Sequence, residues 1–297
     1  MKFFIWSDFD LDGTGSILMM KWIYPNVDIK FKNTKVNAFR EEFSAWLKTD
    51  KIDNYDRVFF LDLDVSKNAD LFDNEKCIVI DHHLTHVENK AVYKKSKAIV
   101  EECTSCCLLI YKKYKDTVKF TDAQKTLIVL IDDYDCYKHQ AKESLMLNYL
   151  FTDLQRGEYA TKVDRFIGEF YNGFDGFTPM QLNIIKFYQN KIQKAIETCN
   201  YFEGEFDIQK KTRSVKAAVT ETAINDICEF ILDQGYDLAI AFNPKTSTVS
   251  FRTKQHDLDV SKIAEKLCGG GGHKYAAGGK ASETFLEFTK LLKRSKD

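Results

Sequence analysis

Four short stretches in the first half of the chain end apolar runs in carboxylates, and one of them adds histidines. Residues 78–86 read IVIDHHLTH, a run that stops abruptly in Asp81, His82 and His83. Residues 3–13 read FFIWSDFDLDG and place Asp8, Asp10 and Asp12 at alternate positions; residues 58–64 read VFFLDLD and end in Asp62 and Asp64. Residues 127–135, LIVLIDDYD, contribute Asp132, Asp133 and Asp135. Brought to one rim, these groups concentrate more negative charge than a protein holds without counter-ions. Divalent cations are the natural remedy, and one acid beside two imidazoles points the same way.

Within each stretch, local geometry narrows the choice. Adjacent histidines point apart on any regular element, so His82 and His83 have different tasks, one ligating and the other facing substrate. Asp62, directly after its apolar run, is the candidate rather than Asp64. In the last cluster Asp133 is preferred, with Asp132 and Asp135 as alternatives. His86 is read as a second-layer group, and His139 and His256 as ordinary histidines. The DxDxDG pattern of residues 8–13 invites a calcium-loop reading, but no Glu stands at the twelfth position and the segment leaves a strand. Cys103 and Cys106 form a CxxC without a second pair at zinc-finger spacing, which favours plain helix packing.

These side chains need strands that deliver them together. Residues 3–6, 58–61 and 77–80 read as strands, with helices over 15–22 and 38–49 and a short strand at 34–36. Strand, helix, strand is the rhythm of a parallel sheet, and in such a sheet the crevice past the carboxyl ends is where ligands sit. Residues 103–115 and 121–131 read as helices, the second capped by Thr121-Asp122 and closed by the acidic cluster.

The break at 173–179, GFDGFTP, precedes a long amphipathic helix over 180–200. The predicted organisation is therefore a catalytic domain over 1–178, a linker helix over 179–203 and a smaller α/β domain over 204–297. In that last part strands are expected at 215–219, 237–242 and 248–252, with helices at 222–233, at 259–267 and from 282 onward. Between them lies GGGGHKYAAGG at 269–279. Four consecutive glycines are costly to order, so the run reads as a place where backbone approaches a ligand. Successive glycine N–H groups form an anion-binding nest, and Arg252, ending a TVSFR run, offers a planar fork to a phosphate.

The chain of 297 residues, 44% hydrophobic and 13% aromatic, supports two cores. With 43 basic and 44 acidic residues it lacks the field that drives tight, non-specific duplex binding. Its eight cysteines lie mostly in apolar segments, as reduced thiols do. No stretch approaches a membrane span, and the apolar start is cut short by Asp8. The reading is cytoplasmic, with no membrane partner.

DFDLDGTGS, FLDLDVS, VIDHHLTH, LIDDYD and SFRTKQHDLDVSKIAEKLCGGGGHKYAAGG together resemble the DHH phosphoesterase superfamily with its DHH-associated C-terminal domain. The resemblance runs in the family's order over nearly the whole chain. It implies two metal ions, usually Mn²⁺, with Mg²⁺ as the alternative. By motif position Asp8, Asp10 and Asp62 would hold one, and Asp12, Asp62, His82 and Asp133 the other. Hard carboxylates with an imidazole suit these ions better than Zn²⁺. His83, with Asp81 beside it, would be the catalytic pair facing the scissile phosphate. Arg252, Gly270, Gly271, Gly272 and His273 would bind substrate in the wedge between the domains.

Ser7-Asp8 stands where many members begin with a histidine ligand, as in RecJ-like exonucleases. The expected activity is hydrolysis of terminal phosphodiester bonds in short single-stranded RNA or DNA, of RecJ-like or nanoRNase-oligoribonuclease type, with water activated by two metals. A pAp phosphatase or a cyclic-dinucleotide phosphodiesterase is the alternative on a small nucleotide. A pyrophosphatase is disfavoured by the GGGGH loop, and a catalytically silent nucleotide-binding regulator by the metal-type residues in all four N-terminal motifs.

Overall fold

Phe3 to Trp6, an unbroken apolar run, form the centre of β1 (Lys2–Ser7), and each is buried. In the computed structural model, which describes residues 1–136, 140–154, 162–272 and 274–295, this strand leads into α1 (Leu11–Ile23) with Asp10 as the N-cap. Then follow β2 (Asp28–Asn33), α2 (Val36–Thr49), β3 (Arg57–Leu61), β4 (Cys77–Asp81), α3 (Leu84–Asn89) and β5 (Lys97–Val100). The strands pair in parallel in the order β2-β1-β3-β4-β5. That order reverses between β1 and β3, so the crevice lies beyond Ser7 and Leu61, which are register partners.

One face of this sheet is aromatic. Trp6, Phe39, Phe43, Tyr55, Phe60 and Phe72 are all buried there. Their rings meet mostly edge-on or tilted, as Trp6 and Phe39 do at 5.6 Å and 87°. Over the other face α1 packs against α4 (Cys106–Tyr114) and α5 (Asp122–Asp135). Every residue from Leu11 to Met20 is consequently buried. Gly15 permits this approach, because a Cβ there would stand 2.6 Å from Ile131 and 2.8 Å from the Cys107 sulfur. α6 (Lys142–Asp153), α7 (Lys162–Phe170) and α8 (Pro179–Thr198) follow.

The chain divides into two units, Met1–Ile185 and Lys186–Asp297. The second contains β6 (Asn200–Ile208), β7 (Lys211–Val219), α9 (Ile224–Asp233), β8 (Leu238–Asn243), β9 (Thr248–Arg252), α10 (Val260–Cys268), β10 (Gly271–Gly272), β11 (Ala276–Lys280), α11 (Glu283–Thr289) and β12 (Lys293–Arg294). Its seven-stranded sheet runs β10-β11-β9-β8-β7-β6-β12, with only β7 and β8 parallel. The fold is α/β throughout, with a parallel sheet first and a mixed sheet second.

Several elements differ from the sequence expectation. The strand expected at 34–36 lies at Asp28–Asn33 instead, and α2 already begins at Val36. α5 does not stop before the acidic cluster but carries it as its last turn. The linker helix ends at Thr198, and β6 begins at Asn200.

Candidate active site

At the reversal point the loop after β1 is held by Gly13, where a Cβ would stand 2.5 Å from the Asp8 carbonyl oxygen. The Gly13 N–H donates to Asp10 Oδ1 at 2.9 Å, so Asp10 caps α1 while its residue stays exposed. Asp12, one residue into the helix, is 1% exposed. Its two oxygens accept from Cys106 N at 2.6 Å and Cys107 N at 2.9 Å, the first amides of α4. A carboxylate facing a helix N-terminus is favourable there.

Asp62, just past β3, is buried and sits at φ +53°, in the left-handed region. Such a conformation costs a non-glycine residue about 1–3 kcal/mol and persists only where the surroundings impose it. Its Oδ1 is fully buried with no hydrogen-bond partner. His82 Nε2 stands 3.2 Å from that oxygen, 3.7 Å from Asp12 Oδ2 and 3.5 Å from Asp135 Oδ2. His82 Nδ1 lies 3.1 Å from the Cys103 carbonyl, which accepts from it. With Nδ1 held by that carbonyl, Nε2 is the ring atom turned to the carboxylates. A ring nitrogen among three carboxylates, one of them with an orphaned buried oxygen, is an arrangement that a cation completes. Two sets of ligand atoms, Asp12–His82–Asp135 and Asp62–Asp81–His82–His83, each lie within 4.8 Å of one another.

Electrostatics agree. Burial pushes the Asp12 carboxyl up, and Asp10's charge adds to it. Burial, then the charges of Asp12 and Asp10, raises Asp62 and Asp135 well above the usual carboxylate range. Asp8 is pushed up to about 6 by burial and then by Asp10. These acids resist joint ionisation without positive charge among them.

Asp81 is buried, and both its oxygens are engaged. Oδ1 accepts from His82 N and His83 Nδ1, each at 2.8 Å, and Oδ2 from His86 Nδ1 at 2.5 Å. Burial alone would raise this carboxyl, but the bonds from His83 and His86 hold it below the usual range. In turn, burial lowers His83, yet the bond to Asp81 outweighs that and raises it to about 9. His86, fully buried, is clamped on its other side by the Tyr93 hydroxyl at 2.6 Å.

The structure therefore brings Asp12, Asp62, His82 and His83 together, with Asp8 and Asp10 on the adjoining loop. It revises two expectations. Asp133 does not face the cluster: its carboxylate accepts from Gln140 N at 2.9 Å, Ala141 N at 3.0 Å and Ser144 Oγ at 2.6 Å. Two residues on, around the last turn of α5, it is Asp135 that reaches His82. Asp81, expected beside His83 as a catalytic pair, is fully buried with both oxygens bonded to His82 N, His83 and His86, the place of a group that acts through His83. Asp64 takes the Ser66 and Thr85 hydroxyls at 2.7 and 2.8 Å.

Sequence reasoning also missed the role of residues 103–107, CTSCC. The Cys103 carbonyl orients His82. Thr104 and Ser105 hydroxyls donate to Asp132, the second at 2.8 Å, and Cys106 and Cys107 amides cradle Asp12. Ser105, a capping residue ahead of an apolar run, was the available signal.

In the second unit the glycine run forms an edge strand rather than a nest, with Gly271 and Gly272 opposite Gly278 and Ala277. Backbone contact explains the glycines: a Cβ on Gly270 would stand 2.1 Å from the Gly278 carbonyl oxygen, and one on Gly272 2.6 Å from Ala277 Cα. Gly271 faces open space. Arg252 Nη2 donates to Asn225 at 2.9 Å, and Nη1 to the carbonyls of Phe251 and Ala277 at 2.9 and 3.3 Å. Most of the expected fork is thus engaged internally, and the buried Nε lacks a partner. His273 and His139 lie outside the described residues. His256 is exposed, 3.1 Å from the Tyr275 hydroxyl.

Residues 2–133 match the DHH family, N-terminal domain, and residues 209–296 match the DHHA1 domain. The chain is 25% identical over 308 residues to oligoribonuclease NrnB of Bacillus subtilis (strain 168), across 92% of this chain and 71% of that one. A pGpG-specific phosphodiesterase from Vibrio cholerae aligns with TM-score 0.59 at 14% identity, over 98% of this chain and 96% of its own. RecJ of Thermus thermophilus in complex with Mn²⁺ aligns with TM-score 0.56 at 12% identity, over 97% of this chain and 51% of its own. At such identities the structural likeness carries the fold. Among the described residues no helix is long and apolar enough to cross a membrane.

Proposed function

The chain belongs to the DHH family, with a DHHA1 domain after its N-terminal one, and from that premise we propose that this phosphodiesterase trims short single-stranded oligonucleotides from an end, with Mn²⁺ as cofactor. The observation that carries the metal is the buried Asp62 Oδ1, which accepts no hydrogen bond, on a left-handed residue 3.2 Å from His82 Nε2. The donor set of carboxylates and one imidazole fits Mn²⁺ or Mg²⁺.

Asp12, Asp62, His82 and Asp135 would hold one ion, and Asp8, Asp10 and Asp62 the other. When bound, the ions would supply Lewis-acid activation of water and of the phosphodiester. The residues do the remainder. Asp81 and Cys103 fix the rings of His83 and His82, and His83, on the more exposed side, donates toward a phosphate oxygen. Asp62 would serve both positions. In the second unit, the open edge at Gly271 and the Arg252 guanidinium would take the nucleotide. Net charge near zero accords with a short substrate gripped locally. Eight cysteines with no disulfide among the described residues accord with a cytoplasmic setting.

End-labelled RNA and DNA of two to fifteen nucleotides, pAp and cyclic di-AMP, each incubated with Mn²⁺ or Mg²⁺, test the reading. Stepwise shortening of the oligomers, fastest with Mn²⁺ and for the shortest chains, is expected. Turnover of pAp or cyclic di-AMP alone would overturn the substrate assignment.

A further inference from the structure

Trp22, near the end of α1, donates its Nε1 to the Tyr171 carbonyl at 2.6 Å, just beyond the end of α7. The two helices pack together, so their carboxyl ends are adjacent. Lys162 is the first residue of α7, at the other end of that helix from Tyr171, and Gly13 lies near the amino end of α1. The charge of Asp10, the N-cap of α1, acts on Lys162, which sets the two within electrostatic reach.

The ammonium group lies 3.4 Å from the centroid of the Phe151 ring, and Lys162 is half-buried. Among the described residues no carboxylate comes within ion-pair distance of it. Burial lowers Lys162 to about 8, and Asp10 is the charge that acts against this. The cation is desolvated on an aromatic face and has no direct anionic partner among the described residues, which suits a group that meets its anion on binding.

We propose that Lys162 binds a substrate phosphate, and specifically the one next along the chain from the scissile bond. The choice of phosphate follows from depth. Asp12 and Asp62 are buried, whereas Asp10, whose charge acts on Lys162, is exposed and Lys162 itself is half-buried. The reacting diester belongs over the buried acids, which leaves Lys162 to the phosphate beyond it. The preferred substrate is then a nucleotide pair that carries a terminal phosphate. This rests on the phosphodiesterase reading above.

Steady-state kinetics on ApA, pApA and ApAp with wild type, Lys162→Met and Lys162→Arg test it. Wild type is expected to favour at least one phosphorylated dinucleotide over ApA by tenfold or more in kcat/KM. Lys162→Met should abolish that preference through KM, with kcat for ApA within threefold of wild type, and Lys162→Arg should restore it. The salt dependence of KM for the phosphorylated dinucleotide should also flatten in Lys162→Met, as loss of one phosphate contact requires. A Lys162→Met enzyme that melts like wild type and retains the preference overturns the inference. If Lys162→Met does not fold, unchanged preference and salt slope in Lys162→Gln do the same. A wild type that cleaves none of the three overturns the function itself.

Discussion

At the scale of single residues, two neighbouring acids on one helix turn have opposite duties. Asp133 accepts from the Gln140 and Ala141 amides that begin the α6 approach and from the Ser144 hydroxyl, whereas Asp135 stands 3.5 Å from the His82 nitrogen. Asp133→Asn should therefore cost about 1–3 kcal/mol of stability, read by denaturant unfolding, while Mn²⁺ affinity by titration calorimetry stays within a few-fold. Asp135→Asn should do the reverse, weakening Mn²⁺ binding by about 100-fold, at or above the usual effect of losing an outer partner. The sequence announced this acidic cluster but not its member, because a helix that runs through Asp135 rotates each successive side chain by about 100°. Asp62 was legible for a simpler reason: it is the first residue after a buried strand, where the pleat and the crevice leave one direction open.

At the scale of elements, parallel strands were visible wherever the apolar run was continuous, as in residues 58–61 and 77–80. β2, the edge strand DIKFKN, alternates polar and apolar residues as a half-buried strand does, but with two apolar residues it lacks the continuous run that marks β1, β3 and β4. The glycine run was legible as a site of close approach, but the partner was taken to be a ligand. The actual partner is the AAGG segment of β11, a long-range pairing that no local pattern displays. This separates two substitutions. Gly270→Ala should destabilise the second unit by about 3 kcal/mol, since its Cβ would meet a rigid carbonyl, and thermal melting would show it. Gly271→Ala, facing open space, should leave the melt within a degree or two and act on KM alone. On the catalytic side, Ser105→Ala removes both an N-cap and a bond to Asp132. A loss of about 1 kcal/mol is expected from the cap, accompanied by weaker metal binding, because α4 would hold Asp12 less firmly.

For the whole molecule, the acid cluster makes stability depend on pH in a direction opposite to most surface carboxylates. Burial and then the Asp10 charge push Asp8 up to about 6, above its unfolded value, and burial raises Asp12, Asp62 and Asp135 as well. Groups raised in this way stabilise the fold below their unfolded pKa, and that contribution is lost as pH rises through the folded value. The protein stripped with EDTA should therefore lose melting temperature from about pH 4 to pH 6 as Asp8 ionises, and further above that as the more strongly raised Asp62 and Asp135 do. Mn²⁺ should restore it, by an increment that grows with pH and with metal concentration. Equal melting curves for stripped and loaded protein at pH 8 would contradict a cation in this cluster.

The left-handed backbone at Asp62 governs how any such experiment is designed. Asparagine tolerates that conformation, so Asp62→Asn removes charge and little else, whereas alanine, glutamate or a β-branched replacement also forces the chain out of its native turn. A dead enzyme made with one of those would report on geometry and charge at once, and could not by itself identify a ligand.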